Sequence, residues 1–327
     1  MPEFRQIVRF GYLPFMLLGF NGAACIVVAQ GYSYLWLAPL LITAFTAAHA
    51  AERLLPCFEE WNHPHGDQTT NLLHNAVYEV SNLSAVLTIP LIVWLFPYQG
   101  IWPTGWPLLG QLLLAIVVAD FAFTILHFLS HRWPLLWRLH AVHHGVDRLV
   151  GFNGLVRHPL HQSVDLWLGS APLVIMGMPA PVAVLLGFAI SVQLIVQHSN
   201  VAFAFGPLQR HLSAGSVHHL HHVNWGKEGD CNFGLFTTWW DRVLGTFQPQ
   251  PSRPITASDM GIDEVPDFPK SYLDQLIFPF IYKPGEGAPI QRPKNAKGTS
   301  IDEVSAKQTG GHLQAPARRQ TPAMGQL

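Results

Sequence analysis

Apolar residues occur in long runs that are separated by short polar connections. Four such runs cover residues 10–29, 35–51, 72–96 and 107–126. Each run has about the 17 to 25 residues that an α-helix needs to cross the hydrocarbon core of a bilayer. The pattern therefore predicts four membrane-spanning helices in an all-α protein.

A fifth apolar stretch, residues 166–197, is interrupted near its middle by Gly177, Met178 and Pro179. Two arms of about 12–17 residues are short for a span, because a helix rises only about 1.5 Å per residue against about 30 Å of hydrocarbon. We expect a broken helical hairpin that enters the membrane and returns on the same side. Two tilted full spans are the alternative, and they give the same topology.

Composition strengthens the membrane assignment. Only 12% of the 327 residues are charged and 49% are apolar, whereas soluble domains have about 25% charged residues. The formal net charge of −1 gives no reason to expect a nucleic-acid partner. Cys25, Cys57 and Cys231 lack C-x-x-C spacing, so we expect neither a disulfide framework nor a cysteine metal site.

Arginine placement predicts the orientation in the membrane. Connections 30–34 and 97–106 contain no Lys or Arg. Arginines flank the other ends of the four runs, at Arg5, Arg9, Arg53, Arg132, Arg138, Arg148 and Arg157. By the positive-inside rule, the N-terminus and the region after residue 126 are expected on the cytoplasmic side.

Histidines recur in three clusters after the fourth run. One is H-x-x-x-H and two are H-x-x-H-H, formed by His127, His131, His140, His143, His144, His218, His221 and His222. Residues three or four apart share one face of a helix, and histidine is the commonest metal ligand. Eight co-facial imidazoles exceed the four or so ligands of one zinc ion, so two metal ions fit the count better. Histidines scattered by chance would not repeat H-x-x-H-H.

The order of these motifs resembles that of the fatty acid hydroxylase / sterol desaturase superfamily of membrane di-iron oxygenases. The resemblance covers about residues 112–247, with a weaker similarity at residues 52–56 and 66–67. Besides the three histidine clusters it includes Asp120–Phe121, Arg157–His158–Pro159–Leu160, Gln197–His198, Asn232–Phe233–Gly234, Trp240–Asp241 and Gly245–Thr246–Phe247.

The resemblance implies a cytoplasmic, histidine-rich helical region that caps the membrane helices and holds two iron ions, for which zinc can substitute. The implied reaction is O2-dependent hydroxylation of a membrane lipid, which could be a fatty acyl, sterol or amino-lipid substrate. Desaturation is the nearest variant. Because the chain has no recognisable donor domain, the electrons would come from a separate ferredoxin, cytochrome b5 or reductase.

The family uses histidines beyond the three clusters. His198 matches its Gln-His position, and His158 and His161 compete within His-Pro-x-x-His. His161 stands where a Glu is more usual, which leaves the choice open. His219 is expected to point away from the shared face.

Carboxylates are expected to accept hydrogen bonds from the second nitrogen of ligand imidazoles. Asp120 lies seven residues before His127, about two helical turns, and so is expected on the same face. An acidic residue within a membrane span is also a candidate for a functional role. Asp165 and Asp241 are similar candidates, and Glu79 in the third run is another.

Two rival classes remain open. A histidine-rich metal transporter would place ionisable ligands within the spans along a pathway, whereas these clusters lie at the ends of spans. A zinc hydrolase would carry a general-base Glu, as in H-E-x-x-H, and no cluster contains one.

We divide the chain into four regions. Residues 1–106 hold the first three spans, residues 107–247 the catalytic region and residues 248–284 a C-terminal extension. Residues 285–327 are rich in Pro, Gly, Ala, Gln and Lys with almost no aromatic residues, which predicts a disordered tail.

Overall fold

The computed structural model describes residues 2–95 and 100–282. This part of the chain is helical, with three isolated β-bridges and no strand. The prediction of an all-α chain is confirmed, and the predicted tail lies outside the described residues. The helices are α1 (Pro2–Pro14), α2 (Asn21–Ala29), α3 (Leu37–Leu54), α4 (Gln68–Leu95), α5 (Leu108–Arg132), α6 (Pro134–His144), α7 (Pro159–Val164), α8 (Ser170–Met176), α9 (Ala180–His198), α10 (Ser216–His219), α11 (Trp239–Leu244) and α12 (Tyr272–Ile281).

Four helical segments of the described chain are long and apolar enough to cross a membrane. They are Glu3–Ala29, Tyr34–Leu54, Leu108–Ser130 and Ala180–His198. The first two contain predicted runs 10–29 and 35–51, and the third contains all but the first residue of run 107–126. Helix α4 begins at Gln68, four residues before the third run, and has 28 residues, a length of about 42 Å at 1.5 Å per residue. The length and apolar composition of these helices are those of a membrane protein.

The predicted break in the fifth apolar stretch is present. Helix α8 ends at Met176, Gly177 adopts the left-handed conformation with φ 82°, and α9 starts at Ala180 with proline in its first turn. Glycine is favoured at this position because a side chain would be strained there. Gly100 packs against the same turn, where an added Cβ would lie 2.1 Å from the carbonyl oxygen of Met176.

Helix α9 differs from the expected short arm. It has 19 residues, of which 16 are buried, and it contacts α2, α3, α4 and α5. Its apolar composition thus reflects burial inside the protein, which the sequence pattern alone cannot distinguish from burial in lipid. The break places α9 at the centre of the fold and leaves His198 at its end.

Small residues allow the neighbouring helices to approach α9 closely, as is common between membrane helices. Alanines on α2, α3 and α5 are at most 1% exposed and share one apolar core with α9: Ala24, Ala44, Ala48, Ala115 and Ala119. Gly154 serves the same purpose in the loop before α7. A Cβ there would lie 2.3 Å from the carbonyl oxygen of Leu194 and 3.2 Å from Nδ1 of His198.

We predict that Gly154→Ala destabilises the protein by about 1–3 kcal/mol, because the added methyl group overpacks the backbone of α9. The measurement is the thermal unfolding midpoint in detergent. Gly187→Ala is the matched control, since a Cβ there meets nothing within 4 Å. Equal midpoints for both variants would contradict the close packing.

Candidate metal centre

Nine histidines form two groups in which one ring nitrogen per residue lies within 4.8 Å of the others. The five-histidine group contains His127, His131, His140, His144 and His221. The four-histidine group contains His143, His198, His218 and His222. The groups are adjacent, since the rings of His144 and His222 stack with centroids 4.5 Å apart.

Four helix ends and turns supply these side chains. The end of α5 supplies His127 and His131, and the end of α9 supplies His198. Helix α6 contributes to both groups because adjacent residues lie about 100° apart around a helix. His143 therefore joins one group, while His140 and His144 join the other. The third cluster, on α10 and the 3₁₀ turn Leu220–His222, is divided in the same way.

Backbone carbonyls orient the imidazole rings. Nδ1 donates to a carbonyl oxygen 2.7–3.0 Å away in four residues, namely His127 to Phe233, His143 to Val156, His198 to Leu194 and His221 to Cys231. A carbonyl only accepts, so Nδ1 carries the proton and Nε2 carries the lone pair. Nε2 is buried without a hydrogen-bond partner in His127, His131 and His221. These nitrogens are in the state that binds a metal ion.

Several Nε2 atoms also face one another. Nε2 of His222 lies 3.1 Å from Nε2 of both His198 and His218, and those of His140 and His144 are 3.2 Å apart. A neutral ring nitrogen carries either a proton or a lone pair, so hydrogen bonding cannot fully account for contacts between so many. Two ligands at right angles, each about 2.1 Å from one ion, would be about 3.0 Å apart. The donor set fits two divalent ions that accept imidazole, such as iron or zinc.

Burial keeps the imidazoles outside the membrane segments uncharged. Desolvation, followed by the neighbouring imidazoles, lowers the pKa of six of them well below the usual value: His140, His143, His144, His218, His221 and His222. At neutral pH these side chains are therefore neutral, which is the form that coordinates a metal ion.

Asp120 binds a loop, whereas the sequence predicts that it accepts a hydrogen bond from a ligand imidazole. Its Oδ1 accepts from the backbone N–H of Phe236 at 2.7 Å and of Thr237 at 3.2 Å, and its Oδ2 accepts from the Thr237 hydroxyl at 2.5 Å. In the described structure Asp120 has no hydrogen bond to a histidine. It fastens the loop after Asn232 to α5.

Asp241 holds the same loop from the other end. It accepts from the backbone N–H groups of Phe233 and Gly234 at 2.7 and 2.8 Å and from the Thr246 hydroxyl at 2.7 Å. The carbonyl of Phe233 is the acceptor for His127. Both predicted carboxylates thus reach the imidazoles through the loop backbone rather than directly.

Of the three additional histidines, only His198 lies in a group. Both ring nitrogens of His158 face backbone, with Nδ1 3.2 Å from N of Leu160 and Nε2 3.1 Å from O of Leu276. Nε2 of His161 lies 2.9 Å from the Ser130 hydroxyl, and its Nδ1 lies 3.2 Å from Asp165. The geometry therefore brings together nine of the eleven predicted ligands.

Sequence reasoning missed Asp230. Its Oδ1 lies 3.5 Å from Nδ1 of His131, and its other oxygen pairs with Arg132. Its position in the sequence gives no signal, because Asp230 lies 99 residues after His131 and meets it only through the fold of the loop. The carbonyl acceptors were missed too, since every residue carries a carbonyl.

An apolar cavity lies one helical turn from both groups. Phe123 and Leu194 line it, and each is four residues before a grouped histidine, His127 or His198. The cavity is narrow, about 80 Å³, and is continued by a groove of about 370 Å³ between α4 and α8. Ala85, Leu166 and Ser170 line both.

The groove is less polar than its composition suggests. Its hydroxyl groups donate to the carbonyl four residues earlier on their own helix, in Ser81, Ser84, Thr88, Ser163 and Ser170. These side chains therefore offer small, satisfied surfaces, and the groove suits an aliphatic chain better than a polar ligand.

Comparison with known proteins decides the family. Residues 112–246 match the profile described as Fatty acid hydroxylase. An ornithine lipid hydroxylase, OlsE, from Rhizobium tropici is 31% identical over 296 residues, which are 87% of this chain and 87% of the relative. The chain belongs to the fatty acid hydroxylase family. The resemblance inferred from the motifs is confirmed.

Other members of the fatty acid hydroxylase family match over shorter stretches. Alkylglycerol monooxygenase of Danio rerio is 28% identical over 49% of this chain and 33% of its own length. Sphingolipid C4-hydroxylase sur2 of Schizosaccharomyces pombe is 23% identical over 61% of this chain and 66% of its own length. No solved structure matches. The named relatives are hydroxylases and monooxygenases, so the chain is an oxidoreductase.

We predict that His221→Ala lowers bound metal from about two ions per chain to about one, because it removes a ligand from the five-histidine group alone. Inductively coupled plasma mass spectrometry of purified protein measures the content. His211→Ala, at an exposed histidine, is the control and should retain both ions. An unchanged metal content in His221→Ala would remove this residue from the ligand set.

We predict that Asp120→Asn weakens metal binding by about 10–100-fold, as losses of supporting contacts around ligands do. Asparagine has one oxygen and an NH2 group that only donates, so it cannot replace both acceptors and the loop that orients His127 loosens. Competition with a chelator measures the affinity. Asp267→Asn, at an exposed acid, should bind as the unaltered protein does, and equal affinities for the two variants would contradict the role of the loop.

Proposed function

We propose that this protein hydroxylates a membrane lipid, using O2 and two iron ions, one in each histidine group. The observation that carries the proposal is the pair of adjacent imidazole groups one helical turn from an apolar cavity. The cavity would hold an aliphatic part of the substrate, and the groups would hold the metal.

Two iron ions would supply the reductive activation of O2 that hydroxylation of an unactivated C–H bond requires. The chain's own residues do the rest. Nine imidazoles would hold the ions without adding negative charge, and the loop fixed by Asp120 and Asp241 sets the orientation of His127. The mostly apolar wall of the cavity would keep water away from the reacting carbon. Zinc can occupy the same imidazoles in isolated protein.

We propose an amino-lipid, with ornithine lipid as the first candidate, as the substrate. The support is the ornithine lipid hydroxylase of Rhizobium tropici, which matches along 87% of both chains, whereas the sphingolipid and alkylglycerol enzymes match over less of their length. Fatty acyl and sterol substrates are the alternatives. The groove between α4 and α8 would admit the aliphatic chain from the bilayer.

We also propose that the metal centre faces the cytoplasm. The sequence around the first two histidine clusters contains four arginines, Arg132, Arg138, Arg148 and Arg157. The positive-inside rule assigns segments with such arginines to the cytoplasmic side. A separate ferredoxin, cytochrome b5 or reductase there would deliver the electrons.

The direct test is lipid profiling by mass spectrometry of cells with and without the gene. We expect lipids of the amino-lipid class to gain the mass of one oxygen atom when the gene is present. A loss of two hydrogens would identify desaturation instead. Unchanged lipids together with altered metal uptake would favour a transporter and contradict the proposal.

We predict that Ala85→Trp reduces product formation by about 10²-fold while both ions stay bound. Ala85 lines the cavity and the groove, and displacing a substrate by even about 1 Å has such an effect. Hydroxylated lipid and metal content are measured on the same preparation. The control is Leu83→Trp, at a position on the same helix that is 58% exposed, and it should leave product unchanged. Equal activity in both variants would exclude this cavity as the substrate site.

A further inference from the structure

A polar cavity of about 320 Å³ reaches the five-histidine group from the loops that cap the helices. His131, His144 and His221 form part of its wall. The loop that contains Lys227 and Asp230 borders it on one side, and the segment that contains Asp263 and Glu264 borders it on the other. Every histidine in this wall belongs to the same group.

The four-histidine group is enclosed. Its members His143, His198, His218 and His222 are at most 2% exposed, and none of them lines this cavity. In the five-histidine group, His127 and His131 are only partly buried. The two groups therefore differ in how directly an ion from solution can reach them.

We propose that this cavity is the route by which divalent metal ions reach and leave the five-histidine group, so that its ion exchanges faster than the ion in the four-histidine group. The inference rests on the proposed two-metal centre, and it is independent of the lipid substrate. The ligand is a hydrated divalent cation, which first meets carboxylate oxygen and then exchanges water for imidazole.

The wall contains groups that suit this sequence of contacts. The Asp230 side chain, which is 21% exposed, lies in the wall, and its Oδ1 is 3.5 Å from Nδ1 of His131. Nε2 of His221, a residue only 1% exposed, has no hydrogen-bond partner. A carboxylate and an imidazole lone pair thus follow one another along the cavity.

The charges at the mouth favour a cation. Asp263 and Glu264 are exposed there beside one exposed lysine, Lys227. Arg132 is paired with Asp230, so its charge is offset. The mouth carries a small excess of negative charge, which raises the local concentration of cations.

Size and polarity distinguish this cavity from the apolar one. One water molecule requires about 10–15 Å³, so about 320 Å³ accommodates an ion together with its hydration shell. The apolar cavity near Phe123 and Leu194 has room for far less. Its wall is mostly apolar, so passing through it would strip water from the ion at a large cost.

The test blocks the mouth and measures metal exchange rather than turnover. Asp263→Cys, loaded with two zinc ions, is labelled with a bulky maleimide and then treated with excess chelator. Asp267→Cys with the same label is the matched control, because Asp267 is an exposed acid that lines a different cavity, one with none of the grouped histidines in its wall. Native Cys57 and Cys231 are buried, and the partly buried Cys25, on α2, is the same in both labelled variants.

We expect zinc to leave the unlabelled protein in two phases of equal amplitude. The label at position 263 abolishes the fast phase and leaves the slow phase unchanged, whereas the label at position 267 alters neither. Asp263→Lys, without label, slows zinc uptake by about tenfold at low ionic strength, and the difference shrinks as salt is added.

Release of both ions in a single phase would overturn the inference. A fast phase whose rate and amplitude are unchanged by the label at position 263 would overturn it too. Protein that holds two ions with unequal exchange but hydroxylates no lipid would support the inference and contradict only the proposed function. Protein that holds no metal would contradict both.

Discussion

The structure depends on one constraint: each grouped imidazole must keep a lone pair directed at the centre of its group. An imidazole has two nitrogens, so the ring is fixed only when the second nitrogen has an acceptor elsewhere. For four of the nine, that acceptor is a backbone carbonyl from a loop or from the preceding turn of the same helix. The loops that cap the helices are therefore as necessary to the centre as the histidines.

This constraint explains the buried acids. Asp120 and Asp241 both accept from backbone N–H groups of the loop that presents the carbonyl of Phe233. Asn232 adopts φ 54° at the start of this loop, and its side chain bonds the carbonyls of Val217 and Gln248. The orientation of His127 therefore depends on groups from α5, α10 and α11.

The spacing of the histidines predicted a metal centre, and the length of the apolar runs predicted the helices. The spacing did not predict that each H-x-x-H-H cluster divides between two groups. Spacing shows which histidines share a helix face, but it does not show which histidines of other helices they meet. The break at Gly177 follows from local backbone chemistry and was predicted. The central position of α9 was not, since valine and leucine are apolar in lipid and in a protein core alike.

The choice among the additional histidines shows the same limit. His198, His158 and His161 have similar local sequence signals, yet only His198 lies within a group, because it ends the central helix. His158 instead caps α7, and His161 faces Ser130 and Asp165. Which of them meets the centre is a property of helix packing, which sequence spacing does not contain.

The most direct test of the account is anomalous X-ray diffraction at the iron absorption edge from iron-loaded crystals. The account predicts two iron peaks per chain, one among the five-histidine group and one among the four-histidine group. A single peak, or iron bound away from these nine imidazoles, would contradict it.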